Sequence, residues 1–257
     1  MADMNPLDLC YPLIEQVKGI YWLPFRRASS FQYFLGDWSL SFFGQRRQKV
    51  FDNSKYAPVA TLIDESHSYS RRDKMKSQWG REFSYISFCL YPLSTICSVK
   101  VGLADFMIVG AASFDFRVIQ VGESTQSRLF NVSDHNQLKQ FIFKMHNESC
   151  DKLLEKGYHD SFTAWGLDEI QEHKIKGRSW YEVVDGSRNL NWRFNLYTQL
   201  SDRHLLQITY EPSHFWPPYH TPSKKALRIS KSPLWDFMDN LKLSKVKKDF
   251  PVIKSIP

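Results

Sequence analysis

Glycine is scarce in this chain, with 11 residues among 257. The phosphate-binding patterns G-x-G-x-x-G and G-x-x-x-x-G-K-S/T do not occur, and neither do G-x-S-x-G or H-E-x-x-H. Each pattern carries a particular chemistry, because glycines let the backbone approach a phosphate and paired histidines hold a metal. The common nucleotide-binding and hydrolase signatures are therefore excluded, and the sequence predicts no catalytic residue and no cofactor.

Cysteine is also sparse, and the four residues, Cys10, Cys89, Cys97 and Cys150, include no C-x-x-C pair. This spacing disfavours a zinc ribbon. Cys89 and Cys97 would face each other if the chain turned around Leu93. In a reducing compartment we expect them to be buried thiols rather than a disulfide.

Long hydrophobic runs are missing as well. The longest uncharged run covers residues 83–99, and its proline and serines make it a poor membrane span. The first residues, MADMNPLDLCYPL, lack the basic region and apolar core of a signal peptide. The sequence predicts a soluble, cytoplasmic protein that does not bind a membrane.

Aromatic residues are abundant at 15% of the chain, enough to build a large core without disulfides. Alternating apolar and polar residues predict strands over residues 32–44, 83–91, 96–102 and 106–121, with a possible break at Gly110. Strands 83–91 and 96–102 would form a hairpin across residues 92–95. A further antiparallel meander is predicted over residues 167–173, 178–184, 190–198 and 204–211.

The sequence predicts two helices and indicates where each begins. The first covers residues 134–156, with Ser133 as its N-cap and Gly157 after its last turn. The second starts at Ser232 and has Pro233 at its first position. These patterns predict an α+β protein with largely antiparallel sheets, one long central helix and a C-terminal helix.

A short internal sequence similarity bears on the domain organisation. FCLYPLS (residues 88–94) resembles FNLYTQLS (residues 194–201), and each lies at a predicted hairpin. Two similar α+β lobes, 1–130 and 131–257, would produce this similarity, and they could pack as one compact unit. Chance similarity between two hairpins explains it equally well.

Positive charge is concentrated at one end of the chain. The net charge is +7, and residues 212–257 carry nine Lys or Arg against three Asp or Glu, a balance of +6. This end contains the stretch SHFWPPYHTPSKK, in which two prolines restrict the backbone and lower the entropy lost on binding. We expect a binding surface for an acidic protein partner, formed by Trp216, Tyr219, His220, Lys224, Lys225 and Arg228.

Other interpretations of the same residues remain open. His214 and His220 have no neighbouring Cys or acid to complete a metal site, so no metal is predicted. The stretch could instead be a connector whose aromatic residues seal the meander against the last helix. Basic and aromatic residues together also suit nucleic-acid binding, and an enzyme with an unrecognised site is a third alternative.

Two smaller clusters of histidine and acidic residues are predicted to have structural roles and not functional ones. His159, Asp160 and Ser161 are adjacent in sequence, whereas the members of a catalytic triad converge from separate elements. The acids near His173 are expected on a solvated strand face.

The stretch GRSWYEVVDGSRNLNWRFNLYTQLSDRHLLQITYE (residues 177–211) resembles strand pairs in α+β immunity proteins of bacterial toxin–immunity pairs. The resemblance implies a noncatalytic inhibitor that binds a cognate toxin acting in the bacterial cytoplasm. Our leading hypothesis is a noncatalytic protein-binding protein of this kind.

Overall fold

The computed structural model describes residues 29–35, 38–44, 85–101, 105–121, 134–187, 192–202, 204–213 and 222–245. It has the predicted α+β composition with antiparallel sheets. The strands are β1 (Ser29–Leu35), β2 (Trp38–Gly44), β3 (Tyr85–Val101), β4 (Asp105–Val121), β5 (Ser161–Phe162), β6 (Gln171–Ile175), β7 (Arg178–Ser187), β8 (Trp192–Ser201), β9 (His204–Ser213) and β10 (Lys242–Lys245). The helices are α1 (His135–Glu155), α2 (Lys224–Ser230) and α3 (Ser232–Asn240), with a 3-10 turn at Leu167–Glu169.

The strands form two antiparallel sheets. The larger has the order β3-β4-β9-β8-β7-β5, with β6 also paired to β7, and the smaller has the order β1-β2-β10. The pairing of β4 with β9 joins residues on both sides of position 130. The division into lobes 1–130 and 131–257 stays a prediction, and the hydrogen bonds of the large sheet cross it.

The predicted hairpin at residues 92–95 is wrong, because residues 85–101 form the single strand β3, paired along its length with β4. Within the described sheet β3 is an edge strand, where a proline such as Pro92 removes no necessary ladder hydrogen bond. Cys89 lies opposite Arg117 and Cys97 opposite Gly110. The two cysteines are thus about 26 Å apart along one strand and do not face each other. A register shift beside Gly110 replaces the break expected there.

The meander is confirmed as β6 to β9. Its first strand begins at Gln171 rather than residue 167, since Leu167–Glu169 form a 3-10 turn. Lys176 and Gly177 connect β6 to β7 with φ values of 50° and 76°. Positive φ at both central residues is what a tight two-residue hairpin turn with the twist of its strands requires.

The long helix α1 agrees with its prediction except at the cap. Asp134, not Ser133, is the N-cap, and its carboxylate accepts hydrogen bonds from the backbone N–H groups of Asn136 (2.8 Å) and Gln137 (3.3 Å). Gly157 follows the helix in the left-handed region, at φ 89°. The apolar face of α1 packs on one face of the large sheet through Leu138, Phe141, Ile142 and Met145. Cys150, on the same helix, is a buried free thiol.

The opposite face of the large sheet carries an aromatic cluster. Phe114 of β4 contacts Tyr210, which lies opposite it on β9, at 4.9 Å and Phe237 of α3 at 4.7 Å. Phe42 of β2 stacks on Phe116 at 4.8 Å. The C-terminal helix α3 starts at Ser232 with Pro233 in its first turn, as predicted, whereas α2 was not anticipated. No helix in the described ranges is long and apolar enough to cross a membrane.

Candidate functional site

Half of the predicted partner-binding surface can be placed. Lys224, Lys225 and Arg228 lie on α2, and Trp216, Tyr219 and His220 lie outside the described residues. The side chains of Lys224 and Arg228 are exposed, and Lys225 is half-buried. Since residues four apart share one face of a helix, Lys224 and Arg228 form one positive face. The rest of the surface, and the choice between recognition loop and connector, stay predictions.

A second surface follows the C-terminal end of α1, and it was not predicted. Residues 154–167, here called the aromatic segment, contain four exposed large apolar side chains: Leu154, Tyr158, Trp165 and Leu167. Trp165 is 79% exposed and Tyr158 is 60% exposed. Exposed tryptophan is unusual, because its ring is the largest apolar group that a chain can bury.

The aromatic segment is held in place at its ends. Gly157 reverses the chain, and the Tyr158 N–H donates to Leu153 O at 3.0 Å. Further along, Ala164 and Ile170 are buried in the core beneath α1. These anchors lie on either side of Trp165, so the exposed ring belongs to a segment attached to the core.

Local hydrogen bonds also order the backbone at the tryptophan. The Trp165 N–H donates to the Glu169 carboxylate at 3.1 Å, and the Glu169 N–H donates to Gly166 O at 3.2 Å. Together with the 3-10 turn they order the backbone on both sides of the exposed ring. A backbone that is ordered in advance loses less entropy on binding.

The charge around the aromatic segment is opposite to that of the whole chain. Residues 151–169 contain five acids and two lysines, a balance of −3, whereas the chain as a whole carries +7. Asp168 and Glu169 directly follow the exposed Trp165 and Leu167 and are themselves exposed. The segment therefore combines apolar contact area with a negative rim.

A buried polar network lies under α1. The carboxylate of Asp185 accepts from His146 Nδ1 at 2.8 Å, from Arg193 Nε at 2.9 Å and from Asn195 at 3.2 Å. Nε2 of the same ring forms a hydrogen bond with the Tyr197 hydroxyl at 2.6 Å. Both ring nitrogens are thus engaged, and the network fastens α1 to β7 and β8.

A second buried carboxylate lies on the other face of the same sheet. Glu182 is 2% exposed, and it pairs with His173 at 2.7 Å and with Lys231 at 2.5 Å. Burial alone would raise the pKa of Glu182, but the hydrogen bond from His173 and the charge of Lys231 outweigh burial and lower it. His173 also contacts Trp235 edge-on at 4.9 Å. This ion pair ties the β6–β7 hairpin to the start of α3.

The acids near His173 were expected on a solvated strand face, and the structure separates them. Asp168 and Glu169 belong to the 3-10 turn, and Glu172 pairs with Lys174 on β6 at 2.8 Å. His173 instead faces buried Glu182. Among the residues with described side chains, no group of three or more His, Cys, Asp or Glu is arranged to hold a metal.

The sequence did contain a signal for the aromatic segment. Within TAWGLDE, Trp165 is followed by a glycine, a leucine and two acids, and glycine and aspartate are typical of a surface turn. A tryptophan in such a turn has few neighbours in sequence that could cover it. The alternation of polar residues on β7 and β8 was the corresponding signal for the Asp185 network.

No protein-family model, curated protein or solved structure matches this chain. The resemblance of residues 177–211 to immunity proteins thus stays a prediction.

Proposed function

We propose that this protein is a noncatalytic protein-binding protein that contacts its partner through the aromatic segment. The observation that carries the proposal is the 79% exposure of Trp165 within an anchored turn. Tryptophan and tyrosine are the residues that most often dominate the energy of a protein interface. An exposed pair of them flanked by leucines suits the apolar centre of an interface.

The charge of the segment indicates the partner's chemistry. A negative rim around apolar side chains favours a partner whose surface is apolar at the centre and basic at the edge. The positive face of α2, with Lys224 and Arg228, would bind an acidic surface of a partner. The sequence predicts that Trp216, Tyr219, His220 and Lys225 belong to the same binding surface. Inhibition of a cognate bacterial toxin is the narrower form of the proposal, supported by the resemblance of residues 177–211.

The test is affinity capture from the native cell with the full chain, followed by titration of the recovered protein. We expect Trp165→Ala to weaken binding about 30-fold, the loss that removal of a central interface tryptophan causes. The matched control is Gln140→Ala, because Gln140 is exposed on α1 outside the segment. It should bind like the unmodified chain.

Charge reversal separates the two surfaces. Lys224→Glu with Arg228→Glu weakens binding only if the partner contacts α2. Equal affinities for the unmodified chain and for Trp165→Ala would contradict the proposed role of the aromatic segment. Capture of nucleic acid instead of protein, with affinity that falls steeply with salt, would favour the alternative function.

A further inference from the structure

We propose that a pocket between the β6–β7 turn and the junction of α3 with β10 binds a small organic anion with an apolar body. The pocket has a volume of about 300 Å³, the lower end of the range for small-ligand sites. It lies on other elements than the aromatic segment, and the inference is independent of the proposed protein partner.

The interior of the pocket is apolar. Its walls include Trp180 of β7, Met238 of α3 and Leu241, which are all almost fully buried, together with Ile175 and Leu243. An aromatic ring or a short hydrocarbon body would be removed from water against these side chains. Burial of apolar area supplies the affinity of such a body but does not select its charge.

Three basic residues line the pocket: Lys176, Arg178 and Lys242. Among the residues that the structure describes, no carboxylate side chain lines it. The Lys176 ammonium donates to the carbonyl oxygens of Asp239 (2.5 Å) and Leu241 (2.8 Å) at the end of α3, which leaves one of its three donors. The side chain of Lys242 is exposed, and it makes no ion pair or hydrogen bond with the residues that the structure describes.

Arg178 is held rigidly beside the pocket. Its guanidinium stacks over the Trp38 ring at 4.1 Å and donates one hydrogen bond to Gln199 O, so other N–H donors of the group remain. Burial lowers the pKa of Arg178 from its ordinary value. A partly desolvated cation attracts an anion more strongly than a cation in water does, because the surrounding dielectric constant is lower.

These features together select a ligand class. An anionic head, such as a carboxylate, sulfonate or phosphate, would lie near Lys242 and the free donors of Lys176 and Arg178. The apolar body would extend over Trp180 and Met238. Positive charge beside a low-dielectric wall concentrates the field on such a head, whereas a cation of the same shape would be repelled.

The test is a fluorescence titration of the full chain with anilinonaphthalene sulfonate, which has an aromatic body and one anionic head. N-phenylnaphthylamine, which lacks the sulfonate, is the matched ligand. We expect Lys242→Glu to weaken binding of the sulfonate roughly fivefold, the upper end for an exposed ion pair, and to leave binding of the uncharged dye unchanged.

Two control variants locate the binding. Lys224→Glu makes the same charge change on α2, outside the pocket, and should leave the sulfonate's affinity unchanged. Trp165→Ala should also leave the sulfonate's affinity unchanged, since Trp165 belongs to an exposed apolar surface outside the pocket. The proposal is overturned if Lys242→Glu and Lys224→Glu have equal effects, if Trp165→Ala abolishes binding, or if the uncharged dye loses affinity equally in Lys242→Glu.

Discussion

At the scale of single residues, Asp185 shows how a carboxylate stays charged beneath a helix. Burial alone would raise the pKa of Asp185, but the hydrogen bond from His146 and the charges of His146 and Arg193 outweigh burial and hold it below 3.8. A buried charge is stable only with such partners. The network has the composition of an acid–base site, yet its hydrogen bonds connect α1 to the sheet.

Acid titration tests this role. Since the folded-state pKa of Asp185 is below its ordinary value of 3.8, its contacts stabilise the fold fully above pH 3.8. That contribution to stability is lost as the pH falls through the lower pKa that Asp185 has in the folded state. We expect Asp185→Asn to reduce the free energy of unfolding at pH 7 by about 2 kcal/mol, and the difference from the unmodified chain to shrink below pH 3.8.

The measurement is urea unfolding at several pH values. Asp168→Asn, at an exposed aspartate of the 3-10 turn, is the control and should follow the unmodified chain. If the difference in free energy of unfolding between Asp185→Asn and the unmodified chain stays constant down to about pH 2, the contacts of Asp185 do not depend on its charge.

At the scale of elements, the ends of α1 depend on particular side chains. Asp134 satisfies two of the free N–H groups of the first turn, and its negative charge also suits the positive end of the helix dipole. Serine and aspartate are both good N-caps, so the residue types alone could not choose between Ser133 and Asp134. Backbone geometry at position 134, φ −81° and ψ 117°, made the choice.

The cap assignment gives a direct prediction. Asp134→Ala should lower the free energy of unfolding by about 1 kcal/mol, the usual contribution of an N-cap side chain. Ser133→Ala should change it by less than about 0.5 kcal/mol. Thermal or urea unfolding followed by circular dichroism measures both values. The reverse order of effects would place the cap at Ser133.

At the scale of the whole molecule, the aromatic cluster connects the two sheets through α3. Phe237 is fully buried and contacts Phe42 of the small sheet at 5.6 Å and Phe114 of the large sheet at 4.7 Å. The ring also contacts Phe116 at 5.4 Å. Because one side chain packs against both sheets, we expect the sheets to unfold together.

Removal of this ring should therefore affect both sheets. We expect Phe237→Ala to reduce the free energy of unfolding by about 4 kcal/mol, as loss of a buried phenylalanine does. Circular dichroism and tryptophan fluorescence should give the same urea midpoint. Leu167→Ala, at an exposed position of the aromatic segment, is the control and should lower the free energy of unfolding by less than about 0.5 kcal/mol. Separate midpoints for the two probes would show that the sheets unfold independently.

Local sequence patterns predicted the meander, the long helix and the start of α3. These elements depend on short-range periodicity, caps and turn residues, which a sequence displays directly. The 3-10 turn and the short helix α2 were missed because each is too short to produce a clear period. The hairpin at residues 92–95 was wrong because proline is a turn residue by local propensity and an acceptable residue on an edge strand.

By itself, the sequence determined the α+β composition, the extent of α1 and the concentration of positive charge in residues 212–257. Tertiary structure decided that β3 continues through Pro92, that Asp185 meets His146, and that Trp165 faces solvent. It also assembled the positive pocket, whose walls come from β7, α3 and β10. These features depend on contacts between residues far apart in the chain, and neither strand order nor the exposure of a side chain follows from neighbours in sequence.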